Sequence, residues 1–199
     1  MYRAILIAST LFLLAGTLPA FAAERIVLIR AGATDDAMWN SAKKYFAGKG
    51  FSVAAYDQAR SIEKQIETAN RVNRERARFM LILDIVPSGR SDAFIAVTDA
   101  KKANGLVLNA DEVPGAHALS SQELGSSIAA RFQKKVKSVP LFMFLGMDLP
   151  AVFVRLNVSR ERDTETFDRL YDGVLNFTKR GSKDERELKG ERRDQAVED

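Results

Sequence analysis

The run "FMLILDIV", Phe79 to Val86, constrains the fold more than any other stretch of the chain. All but Asp84 are apolar, so both sets of alternating side chains want burial. A strand of that kind fits the middle of a sheet with both faces covered. The chain must therefore supply helices to two sides of a sheet.

It does so in alternation. "RIVLIR" (Arg25–Arg30), "FSVAAY", "DAFIAVTD", "PLFMFLG" and "PAVFVRL" read as further strands. Between them lie helical patterns. In "DDAMWNSAKKYFAGKG", Asp35 or Asp36 can cap, Met38, Ala42, Tyr45 and Phe46 share a face, and Gly48 and Gly50 can stop the helix. "SIEKQIETANRVNRERAR" opens on the capping residue Ser61, with Ile62, Ile66, Ala69 and Val72 as its apolar stripe. "SSQELGSSIAARFQKKVKS" is a third helix. "DTETFDRLYDGVLNFTKR" is a fourth, with Phe167, Leu170, Tyr171, Val174 and Phe177 on one side. The pattern predicts an α/β three-layer sandwich, a mostly parallel mixed sheet of about six strands flanked by helices. "DAFIAVTD" follows its predecessor through a Pro-Ser-Gly turn, so at least one pair should be antiparallel.

Both ends differ from this domain, which spans residues 24–180. Residues 1–23 combine Arg3, an apolar run and a small-x-small site at Ala20 and Ala22, the pattern of a cleaved export signal. The apolar run is shorter than the roughly 20 residues that span a bilayer. The expected address is periplasmic or secreted, with no membrane attachment after cleavage. Residues 181–199 carry five basic and seven acidic residues with only Leu188, Ala196 and Val197 apolar. That composition predicts a disordered tail, with a solvated charged helix as the alternative.

Composition narrows function mainly by exclusion. The absence of cysteine removes disulfides, thiolate metal sites and cysteine nucleophiles. A formal charge of +4, spread along helices, gives no footprint for nucleic acid.

Several charged residues stand where they need explaining. In "PAVFVRL" Arg155 follows the apolar run and precedes Leu156, Arg30 ends "RIVLIR", and Asp84 interrupts the most buried run. These three read either as ordinary strand-end charges, with an Asp84–Arg155 pair, or as a pocket whose arginines grip a carboxylate. His117, the one histidine, reads as an exposed loop residue near Pro114 and Gly115. Its alternative is a metal ligand with Asp35, Asp36 or Asp84. A Ser-His-Asp arrangement from Ser120 or Ser121 lacks any framing motif.

The order of these elements and several strings resemble the zinc-dependent N-acetylmuramoyl-L-alanine amidases, which remove stem peptides from peptidoglycan. "SVPLFMFLGMDLPAVFVRLN" is similar to the family's closing strands, which run into Glu-Leu-Gly. "SIEKQIETAN" resembles a Ser-Leu-x-x-Arg-x-x-x-Ala-Asn helix, with Gln65 at the Arg. "RARFMLILDIV" resembles the strand ending in Ser-Ile-His-Ala-Asn, and "RIVLIRAGAT" the one running into Asp-Pro-Gly-His-Gly-Gly. The likeness covers nearly all of residues 25–180.

The resemblance implies a zinc ion held by two His and a Glu, with a further Glu as general base. In this chain the first His position falls on Gly32 or a neighbour and the second on Asp84. The ligand Glu falls near Asp35 and Asp36, and the catalytic Glu on Arg155. A guanidinium cannot take a proton from water and repels a dication. The resemblance thus implies an exported, non-catalytic amidase-like protein without zinc, with Arg30, Asp35, Asp36, Asp84 and Arg155 as binding candidates. Its partners would be peptidoglycan fragments or an envelope-remodelling protein. The alternative is an active amidase with a rearranged metal site built from Asp84, Asp35 or Asp36, and His117.

Overall fold

The computed structural model describes residues 23–100, 109–140, 142–159 and 163–195. The export signal expected over residues 1–23 lies outside them except for Ala23, as do the last four residues of the expected tail.

Strands β1 (Arg25–Arg30), β2 (Ser52–Asp57), β3 (Met80–Pro87), β4 (Asp92–Thr98), β5 (Lys137–Val139) and β6 (Ala151–Val158) form one sheet in the order β2-β1-β3-β6-β4-β5. β2, β1, β3 and β6 run parallel to one another, β4 is antiparallel to β6, and β5 is parallel to β4. Helices α1 (Asp36–Gly48), α2 (Ile62–Arg74), α3 (Ala118–Arg131) and α4 (Asp163–Gln195) complete the fold.

Burial sorts the helices by face. Leu81, Leu83 and Ile85 of β3 pack with Trp39, Phe46, Ile128, Phe167 and Leu170, so α1, α3 and α4 cover one side. Met80 and Ile82 pack with Ala69, Val72, Phe144 and Met147, so α2 and the segment before β6 cover the other. The all-apolar run at β3 is the central strand that its composition requires.

The expected antiparallel pair is β4 with β6, which lies between β3 and β4, so the turn after Pro87 steps across it. Three local expectations need correction. The third helix ends early. Gln133 takes φ +54, Lys134 N–H donates to Ala129 O at 2.9 Å, and Gln133 N–H donates to Ala130 O at 3.3 Å. That is a Schellman stop, and β5 follows inside what reads as helix. "PLFMFLG" is not a strand either. Phe142–Phe144 form a single 3-10 turn that plugs Phe144 into the core.

On α2, Ile62 and Ile66 are about half exposed while Gln65 is buried. Its amide donates to Met143 O at 3.1 Å and Leu145 O at 3.0 Å, which repays its burial. Helix α4 is continuous through Gln195. Lys, Arg and Glu are good helix formers, and no proline interrupts them.

Candidate functional site

The sheet order places β1 between β2 and β3, so the chain leaves β1 toward one neighbour and reaches the other from the opposite face. A crevice opens outside the carboxyl ends of strands at such a reversal. Gly32 follows β1 there, and Asp84 is the first residue of β3 beyond the end of β1.

Gly32 has φ +61, and a Cβ built on it would lie 2.2 Å from Asp84 Oδ1. Only a residue without a side chain leaves room for the carboxylate. Asp84 is buried, and its Oδ1 accepts from the Ala33 N–H at 3.2 Å. Its Oδ2 accepts from Arg155 Nε at 2.6 Å. The pairing is fixed by register, because Asp84 on β3 lies directly beside Arg155 on β6. Phe94 on β4 lies beside Arg155 from the other side. All three point to the α2 face, as the alternation with Ile82 and Phe153 requires.

Thr34 braces the loop. Its hydroxyl donates to Ala31 O at 2.9 Å and accepts from the Ile85 N–H at 2.7 Å. β3 outruns β1 at this point, so without Thr34 that buried donor would lack an acceptor.

The structure thus brings Gly32, Asp84 and Arg155 together. The other candidates form separate groups. Arg30 is paired in register with Leu83, whose side chain belongs to the α1 face. Its Nε donates to Asp57 Oδ1 at 2.6 Å and its Nη1 to Asp36. These two hydrogen bonds raise the Arg30 pKa further. Asp35 is the α1 cap, its Oδ1 accepting from the Met38 N–H at 2.8 Å.

His117 does not join either group. Its Nε2 lies 2.9 Å from Asp148 Oδ1, in the segment leading into β6. Arg155 stands four residues into that strand, which at the usual rise is about 13 Å further along. The rearranged metal site of His117 with Asp84 and Asp35 or Asp36 therefore does not assemble. Ser121 is likewise engaged, its Oγ accepting from the Ala151 N–H at 3.0 Å. Among the described residues no group of three His, Asp or Glu side chains converges on a point that could hold a metal ion.

Two residues at this site carry no sequence signal of their role. Thr34 reads as loop, and Phe94 reads as one more apolar strand residue. Only the register of β4 against β6 sets Phe94 beside a cation.

A scan against protein-family models finds no match to the sequence, and a comparison with curated proteins finds none. Solved structures do match. The N-acetylmuramyl-L-alanine amidase Ami1 from Mycobacterium smegmatis superposes with a TM-score of 0.50 at 11% identity, covering 78% of this chain and 97% of that one. An N-acetylmuramoyl-L-alanine amidase of Nostoc punctiforme gives 0.47 at 11% identity, covering 77% and 97%. The chain has the α/β fold of the N-acetylmuramoyl-L-alanine amidases.

Proposed function

We propose that this chain is an exported, non-hydrolytic protein of the amidase fold that binds peptide-bearing fragments of the cell wall. The observation that carries the reading is the Asp84–Arg155 pair. On the sequence resemblance, Arg155 falls where the amidases carry a catalytic carboxylate. A guanidinium there stays protonated and takes no proton from water.

The same residues do not fit a zinc ion. Gly32 has no side chain to replace a histidine ligand, and Asp84 already serves Arg155 and the Ala33 N–H. A dication beside Arg155 would meet repulsion of roughly 8 kcal/mol at ~4 Å and an effective dielectric near 20. Export rests on the leader pattern of residues 1–23. The cell-wall ligand rests on the fold shared with amidases.

The test is to purify the protein, add zinc, and measure bound metal, release of stem peptides from cell-wall sacculi, and co-sedimentation with the sacculi. Binding without turnover and without stoichiometric zinc is the expected result. Stoichiometric zinc with chelator-sensitive peptide release would overturn the proposal in favour of an active amidase.

A further inference from the structure

Arg30 and Arg155 look alike in the sequence, each a cation at the end of an apolar run. Their surroundings differ. Arg30 is tied at Nε by Asp57 and at Nη1 by Asp36, so two carboxylates already neutralise it. Among the described residues, Arg155 is tied only at Nε. Its side chain is 55% exposed, against 2% for Asp84, and no described residue accepts a hydrogen bond from its two Nη groups.

A buried carboxylate that holds one edge of an exposed guanidinium is a poor stabilising device, because desolvation offsets the attraction. It is a good positioning device. The forked outer edge is presented to solvent in one orientation, and such an edge matches a carboxylate with two parallel hydrogen bonds. Gly32 supports this arrangement, since any side chain there would displace Asp84.

The neighbours define what else the ligand carries. Phe94 is 42% exposed, and its ring meets that of Phe153 at 6.3 Å, nearly edge to face. Phe153 is buried, so Phe94 is an apolar contact fixed from beneath. Asp92, two residues before Phe94, does not compete for Arg155: its carboxylate takes Lys134 Nζ at 2.7 Å and its own strand's Ala93 N–H. The amide of Asn157 follows Arg155 on the same face.

We infer that Arg155 and Phe94 form a receptor for the free carboxylate of a short peptide whose adjoining residue is apolar. Arg155 takes the carboxylate through its Nη edge, and Phe94 packs on the neighbouring side chain. This rests on the cell-wall reading and narrows it to the peptide's free end. Arg30 has no part in it.

The probe is N-acetyl-dialanine, titrated by calorimetry against the purified protein, beside its C-terminal amide and acetate alone. The free acid should bind, and the amide should bind roughly 10- to 100-fold more weakly, the range for losing a charge-assisted contact. R155Q should show a loss of similar size, R155K an intermediate one, and F94A about 3- to 10-fold. The amide comparison uses the wild-type protein, so it stands even where R155Q folds poorly. Equal binding of acid and amide, or no binding of either, overturns the inference. Sacculus binding that R155Q leaves unchanged overturns it while the cell-wall reading survives. Binding of the acid through Arg155 without any retention by sacculi upholds it and removes the cell wall as the source.

Discussion

Gly32 and Asp84 occupy one space: a single methyl on Gly32 would fall 2.2 Å from Asp84 Oδ1 and 2.4 Å from its carboxyl carbon. The loop after β1 and the carboxylate on β3 are therefore one construction. G32A meets two obstacles. The backbone at φ +61 disfavours a Cβ by roughly 1–2 kcal/mol, and the methyl drives Asp84 off Arg155 and the Ala33 N–H. The expected loss is about 3 kcal/mol or more in urea denaturation. In a D84A background the clash is gone and only the backbone cost remains, so G32A should cost roughly 1–2 kcal/mol there. Equal costs in the two backgrounds would mean that the two residues do not interact.

The Asp84–Arg155 pair predicts an asymmetry between breaking and replacing. R155Q leaves a buried carboxylate without its cation and should cost roughly 2–3 kcal/mol. The exposure of Arg155 keeps this below the value for a fully buried pair. D84L/R155L removes both charges and puts apolar groups on a face already lined by Ile82 and Phe153. It should recover most of the loss, read as the denaturation midpoint. A double variant no more stable than R155Q would assign the pair a larger stabilising role than desolvation allows.

The sequence is informative where one physical rule acts alone. β3 is legible because an unbroken apolar run has few places to go. The caps Asp35 and Ser61 are legible because a short polar side chain before an amphipathic run has one good use. The errors arise where tertiary contacts override the local pattern. Gln133 ends α3 in a left-handed conformation with no glycine to announce it. Gln65 is buried because two distant carbonyls, Met143 O and Leu145 O, await its amide. Asp84 and Arg155 stand out as odd charges, but their union depends on β6 slotting between β3 and β4. No local pattern encodes that choice.

Close helix packing gives another prediction. A Cβ at Gly173 would lie 2.6 Å from Ile128 Cα and 3.0 Å from Ile128 N. Backbone cannot yield as a flexible side chain can, so α3 and α4 approach closely only because position 173 has no side chain. In an exposed helix G173A would stabilise by about 1 kcal/mol through propensity. Here overpacking should win, with a net loss of roughly 1–3 kcal/mol in thermal or chemical denaturation. A stabilised G173A would show that the two helices can part without cost.

Tyr45 and Asp168 tie α1 to α4, and their titration gives that tie a pH profile. The Tyr45 hydroxyl donates to Asp168 Oδ1, and Lys49 Nζ lies 3.3 Å from the same oxygen. The hydrogen bond from Tyr45, then Lys49, holds the Asp168 carboxyl below its ordinary value. Burial first, then the bond to Asp168, pushes the Tyr45 phenol above its own. A lowered carboxyl contributes stability above its unfolded pKa, lost as pH falls through the folded one. A raised phenol contributes stability that is complete below about pH 10 and lost above it. The contribution is therefore greatest between these limits. Y45F keeps the ring beneath Lys49, 5.1 Å from the ammonium to the ring centre in the native protein, and removes only the hydroxyl. It should cost about 1 kcal/mol near pH 7, with Asp168 half exposed and its share reduced accordingly. The difference from wild type should shrink both below about pH 3 and above about pH 10. Urea denaturation of the two proteins across that range measures it, and a cost independent of pH would mean that the hydroxyl acts through packing and not through its bond to the carboxylate.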